Sequence, residues 1–176
     1  MTRSSMLVVF LGNPGPEYKL TRHNSGFIVA ENMALTQDLR WSQKFFGMFA
    51  KQDFSGRQHC FLKPETFMNL SGKSVQAAKS FFKLSDREIV VVHDDIETEF
   101  GVVAFREGGG FAGHNGLKSI ANSIGSPNFL RIKIGVGRPK KGDVSSFVLG
   151  KFTPEEIPFL PVMAEAAEEK LKELLQ

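Results

Sequence analysis

The sequence predicts an α/β fold: a single-domain three-layer sandwich, with a mixed, largely parallel twisted sheet and helices on both faces. Three observations carry this. Two unbroken apolar runs, "MLVVFLG" (6–12) and the apolar start of "IVVVHDD" (89–95), read as strands buried on both faces, the mark of parallel pairing. Strand and helix signals alternate along the chain. And 176 residues allow one full core but not two comfortable ones, so 1–176 is expected to be one domain.

Each element follows in order. "NSGFIVAENMALTQDL" (24–39) spaces Phe27, Ile28, Ala30, Ala34 and Leu35 as one face of a helix. "MFAKQDFSGRQHCFLKP" (48–64) alternates around Ser55-Gly56 and predicts a hairpin. Ser71 to Leu84 predicts an amphipathic helix with Val75, Ala78, Phe81 and Phe82 inside. After the second buried run come a short strand, "VVAFRE" (102–107), a glycine-rich loop and a helix, "NGLKSIANSIG" (115–125). "FLRIKIGVG" (129–137) alternates as a strand with one basic face, and from about Phe159 the chain reads as a helix, acidic outside. No repeat or low-complexity segment interrupts this, and the 17 phenylalanines fall mostly at core-pattern positions.

Composition removes several classes. A hydrophobic content of 41% with 23% charged residues is that of an ordinary soluble globular protein. No run approaches the length of a membrane helix, and "MTRSSMLVVF" lacks a signal-peptide layout. The lone Cys60 rules out an internal disulfide or a multi-cysteine metal site and points to a reducing cytoplasm; in "HCFL" it reads as a buried spectator. The net charge of +3 divides unevenly, with −4 on residues 155–176 and +7 on the rest. A basic body suits a polyanionic partner, although solubility alone explains many such excesses.

In sheets of this kind, sites form beyond the carboxyl ends of the strands. That selects "GNPG" after the first strand, "HDD" after the second buried run, and "GGGFAGHNG" after 102–107, with His23, His93 and His114 in or near them. Each residue also has a plainer reading. His23, outside the core pattern, is expected in an exposed loop at a helix entry. Asp94 either caps a turn or holds an imidazole in one tautomer. Asp94, Asp95, Glu97 and Glu99 alternate without a histidine partner at fixed spacing, a poor metal motif. His59, inside the hairpin, reads as structural. Asn69 stands where Asn commonly caps a helix. "GGGFAG" (108–113) matches G-x-G-x-x-G, yet residues 121–142 lack the acid a dinucleotide ribose needs, so a mobile loop is the better reading.

"GNPGPEYKLTRHNSG", "KPETFMNLSGKSV", "HDD", "GGGFAGHNGLKSI" and "RIKIGVGRP", in this order, resemble bacterial-type peptidyl-tRNA hydrolases from about residue 6 to residue 152. The resemblance implies a monomeric, cofactor-free cytoplasmic enzyme. It would cleave the ester between a stranded nascent peptide and tRNA, with no membrane or obligate protein partner. By matching positions, it implies His23 as catalytic base, Asp94 as the acid orienting it, and Asn13 as the residue that distinguishes blocked from free aminoacyl groups. It implies substrate contacts at Tyr18, Phe67, Asn69 and Asn115, with His114 in the same cleft. Arg106 and Lys133 fall where the family grips the tRNA 5′-phosphate.

These residue types suit the chemistry. A histidine of pKa near neutrality activates water, a carboxylate fixes its tautomer, and carboxamides stabilise an oxyanion without any metal. Two departures stand out: Phe111 and Ala112 occupy positions where the family has histidine and glycine, which stiffens the loop. The chain also closes on an acidic helix where many relatives have a longer basic tail, so a weaker grip on tRNA is expected. Two other classes remain open here, a module that binds RNA without hydrolysing it and a nucleotide-dependent oxidoreductase.

Overall fold

The computed structural model describes residues 4–176; Met1–Arg3, part of the N-terminal stretch and of the 1–176 span read above, lie outside the described residues. Seven strands form one sheet: β1 (Leu7–Phe10), β2 (Ser42–Lys44), β3 (Gly47–Phe54), β4 (Arg57–Pro64), β5 (Ile89–Asp95), β6 (Val103–Glu107) and β7 (Leu130–Gly135). Their order is β2-β3-β4-β1-β5-β7-β6. The four central strands β4, β1, β5 and β7 run parallel, while β2, β3 and β6 are antiparallel to their neighbours.

Alternation along β1 divides the core. Val8 and Phe10 face one apolar cluster with residues of α1 (Ser25–Asn32) and α6 (Leu160–Leu175). Leu7, Val9 and Leu11 face the other, with α3 (Ser71–Phe82) and α4 (Asn115–Ile124). Helices therefore cover both faces, as the buried β1 and β5 runs demand. Gly72 lets α3 meet α4, because a Cβ there would collide with the backbone of Ser119.

The structure corrects several local readings. The 24–39 helix is two: α1 stops at Met33, whose extended backbone buries its side chain, and α2 (Ala34–Gln37) follows. The Glu168 carboxylate accepts from Leu35 N–H at 3.1 Å, satisfying a donor that the break exposes. Phe81 lies on the outer side of α3, 60% exposed. The 129–137 strand carries Arg131 and Lys133 on one face as read, but that face is largely covered: Arg131 is 2% exposed and Lys133 pairs with Asp95. Because β6 is antiparallel to β7, its carboxyl end lies at the far edge of the sheet from Asp95. The segment 108–113 must climb back to bring His114 to the site. Arg131 holds the start of this climb, donating to the carbonyls of Gly109, Gly110 and Pro127. Gly108, Gly109, Ala112 and Gly113 all have positive φ, so the glycine-rich composition reflects backbone geometry.

His59 and Cys60 behave as read. His59 is fully buried, accepting from Met6 N–H at 2.9 Å and donating to the Leu175 carbonyl at 3.0 Å, which ties the terminal helix to β4. Cys60 is buried, and burial pushes its thiol pKa up. Among the described residues, no helix is long and apolar enough to cross a membrane.

Candidate active site

The site is built where β1 and β5 end. Beyond β1, Leu11 N–H still donates to the Val92 carbonyl, and the chain then turns at Asn13. Asn13 N–H donates to Asn24 Oδ1 at 2.8 Å, and the Asn13 carbonyl accepts from Asn24 Nδ2 at 3.0 Å. Met68 N–H donates to Asn13 Oδ1 at 2.7 Å. That last bond sets the amide's direction: Oδ1 is committed, and Nδ2 is the end free for the cleft.

His23 is 7% exposed, not in an open loop. It lies in a 3₁₀ turn, Arg22–Asn24, pressed against the strand ends because Gly26 approaches the backbone of Leu11 and the Val92 carbonyl too closely for any Cβ. Arg22 anchors the turn from outside, its guanidinium 4.2 Å from the Phe147 ring and 3.0 Å from Glu156.

Asp94, at the end of β5, is buried between two imidazoles. His23 Nδ1 is 2.9 Å from Asp94 Oδ2, and His114 Nε2 is 2.8 Å from Oδ1. The tautomers follow from hydrogen bonding. His114 Nδ1 caps α4, accepting from Gly116 N–H at 3.1 Å and Leu117 N–H at 3.3 Å, so its proton is on Nε2 and is donated to Asp94. His23 donates from Nδ1, which leaves its Nε2 lone pair free of any partner among the described residues. Burial disfavours the Asp94 carboxylate, but the two imidazoles outweigh it and hold its pKa well below the usual range. Burial also opposes a charged His23, and the charge and hydrogen bond of Asp94 overcome this to raise the His23 pKa.

His93 points elsewhere. Its Nδ1–H donates to the Asp94 carbonyl at 2.7 Å, and burial, assisted by His114, pushes its pKa down to about 3. The acidic run also diverges: Asp95 takes Thr98 and Lys133, while Glu97 pairs with Arg138. The only cation-type donor cluster among the described residues is His23, Asp94 and His114, whose ligand atoms lie within 4.8 Å of one another. A cation on His114 Nε2 would move that proton to Nδ1, against the two N–H groups of α4, so the donors fit hydrogen bonding better than a metal.

These groups open on a cleft of about 590 Å³ that Tyr18, Phe67, Asn69 and Asn115 also line. Asn69 sits inside a 3₁₀ turn (Met68–Leu70) and does not cap α3, which begins without a side-chain cap. Arg106 and Lys133 lie outside the cleft lining. The register pairs Lys133 with Ala104 and Arg106 with Arg131, which puts both cations on one face of the β6–β7 ribbon as diagonal neighbours. Sequence reasoning missed Asn24, whose paired bonds to Asn13 leave no trace in spacing. It also passed over Arg138 and the short helix α5 (Val144–Val148), both of which line the cleft.

The profile of the peptidyl-tRNA hydrolase family matches residues 7–176, further than the five motifs reach. A peptidyl-tRNA hydrolase of Geotalea daltonii is 46% identical over 156 residues, covering 88% of this chain and 82% of the relative. One from Geotalea uraniireducens is 44% identical over 170 residues, covering 96% and 89%. The crystal structure of peptidyl-tRNA hydrolase from Acinetobacter baumannii superposes with a TM-score of 0.90 at 37% identity, covering 98% of this chain and 89% of that one. Sequence and fold agree along nearly the whole length: the chain belongs to the peptidyl-tRNA hydrolase family.

Proposed function

We propose that this chain hydrolyses the ester between tRNA and a nascent peptide or N-blocked aminoacyl group, using His23 as general base and no metal or other cofactor. One observation carries the mechanism. Of the three imidazoles near Asp94, only His23 offers an uncommitted lone pair in a residue lining the cleft. His23 Nε2 takes a proton from water as the water oxygen bonds to the ester carbonyl carbon. Asp94 stabilises the imidazolium. The carboxamide N–H groups of Asn13, Asn69 and Asn115, which line the cleft, are assigned to positioning the water or donating to the oxyanion, each worth about 3 kcal/mol where the fit is good. Collapse breaks the bond to the tRNA 3′ oxygen, which leaves with the proton from His23.

The chain is expected to act as one domain over 1–176, as a cytoplasmic monomer without membrane or obligate protein partner. The primary test is incubation with N-acetyl-aminoacyl-tRNA, following release of free tRNA. Release at an unchanged rate in the presence of a chelator supports the reading, and no release overturns it.

Asn13 is assigned to substrate selection. A blocked substrate presents a neutral amide to its Nδ2, whereas a free aminoacyl group presents an ammonium, which repels an N–H donor and resists desolvation. Asn13→Ala is therefore expected to lower the blocked-to-free ratio of kcat/KM beyond any general loss of rate. An unchanged ratio would leave Asn13 as a turn residue held by Asn24 and Met68.

Arg106 and Lys133 are assigned to the 5′-phosphate, with Lys133 shared between that phosphate and Asp95. They stand apart from bond-making, so Arg106→Ala/Lys133→Ala should raise KM far more than it lowers kcat. Each lost phosphate contact should flatten the log–log dependence of affinity on salt by roughly 0.9 on duplex nucleic acid. The check is KM against salt, with tRNA bearing or lacking the 5′-phosphate. A double mutant as sensitive to that phosphate as the wild type refutes the clamp.

A further inference from the structure

A second cavity, of about 390 Å³, lies behind Asn13, between the Pro14–Pro16 turn, α1 and the β3–β4 hairpin. We propose that it binds the peptide residues immediately upstream of the one esterified to tRNA. This rests on the hydrolase reading above and adds a second subsite to it.

Sheet order gives the direction. Asn13 follows β1 and Asp94 ends β5, both central strands, while the cations assigned to phosphate lie on β7 and β6 at one side. The second cavity lies on the other side, over β4 and β3, and its lining shares Asn13 with the catalytic cleft. For a substrate whose tRNA approaches from β7–β6 and whose ester sits by His23, the way past Asn13 leads away from those cations into this space. Asn13 Nδ2, left free by the Met68 bond, stands at the junction as a donor for a peptide carbonyl.

The lining suits a peptide of varied sequence. Phe27 and Met48 are half-buried and supply apolar contact to any chain. Around them stand Lys19, Lys63, Glu31 and Glu65, and none of these four is in an ion pair among the described residues. Lys63 lies 4.4 Å from the Trp41 ring. Two ammonium groups and two carboxylates outside any ion pair among the described residues accept side chains of either sign. With two charges of each sign the lining has no net charge and offers a tRNA phosphate no electrostatic preference.

The test uses N-acetyl-dipeptidyl-tRNAs that share one tRNA and one C-terminal residue and carry aspartate or lysine at the penultimate position. The ratio of their kcat/KM values cancels any effect on tRNA affinity. In the wild type this ratio should lie near one. Lys63→Glu should shift it about fivefold toward the lysine substrate at low salt, and Glu31→Lys/Glu65→Lys about fivefold toward the aspartate substrate, as charges a few ångströms apart near a protein surface allow. Hydrolysis of both substrates with ratios unchanged in both variants overturns the subsite while leaving the hydrolase reading intact. Failure of the wild type to release tRNA from either substrate overturns both.

Discussion

His23→Ala should abolish turnover of N-acetyl-aminoacyl-tRNA while tRNA binding and the fold survive. A positioned general base contributes about 10²–10⁴-fold, and no other group in the cleft can replace it. His114 is locked as a donor to Asp94 by the α4 cap, and His93 lies outside the cleft lining, where burial pushes its pKa down to about 3. The fold should tolerate the change because His23 makes one charge-assisted hydrogen bond, and Asp94 keeps the other from His114. Losing that bond from a buried carboxylate costs about 1.5–3 kcal/mol, which lowers Tm by several degrees without unfolding the protein at 25 °C. The measurements are kcat, tRNA affinity and a thermal melt. More than about a tenth of wild-type activity in the variant would show that His23 is not the base.

Much of the fold was legible because apolar pattern and topology coincide. "IVVV" can be satisfied only between two helical layers, and β5 is buried along its whole length. The 48–64 hairpin announced itself through Ser55-Gly56, which both adopt positive φ. The preceding hairpin, β2–β3, was invisible for the opposite reason. Its two turn residues are Phe45 and Phe46, both at positive φ, a conformation bulky residues avoid. Tertiary contacts hold this turn: Ser74 donates to the Phe45 carbonyl at 2.5 Å, Glu65 N–H donates to the Phe46 carbonyl at 3.0 Å, and Lys73 lies 4.3 Å from the Phe46 ring. No local signal encodes such a turn.

The candidate site divides in the same way. His23, Asp94 and the carboxamides could be named only through the resemblance of their short blocks to peptidyl-tRNA hydrolases; by themselves His23 reads as a helix entry and Asp94 as a turn residue. What orients them could not. The direction of the Asn13 amide depends on a backbone N–H 55 residues away, and the His114 tautomer depends on which α4 donors meet its ring. Arg131 misled the reading because alternation along β7 looks identical whether the alternate face meets water or a returning loop. Here it meets the loop. Arg131 is desolvated there, which with the nearby Arg106 charge lowers its pKa to about 10, still charged at neutral pH.

Asp94→Asn should lower kcat by roughly 10³–10⁴ with the structure retained, because the amide imposes the wrong proton arrangement on His23. The α4 N–H groups keep His114 Nδ1 as an acceptor, so His114 Nε2–H must still find an oxygen. The oxygen of the introduced carboxamide therefore turns to His114, and its NH₂ faces His23 Nδ1. A donor opposite Nδ1 drives the His23 proton to Nε2, the position that must be empty to accept a proton from water. The amide also removes the charge that raises the His23 pKa. In the wild type the rate should rise with pH through a single limb whose midpoint lies above the ordinary histidine value, then level off, since only neutral His23 acts as base. In the variant, what rate remains should rise through a limb displaced to lower pH, because burial, which disfavours the imidazolium, is no longer opposed by a carboxylate. The measurement is kcat against pH for both proteins, with circular dichroism to confirm the fold. Matching rates and superimposable profiles would reduce Asp94 to a turn residue at the end of β5.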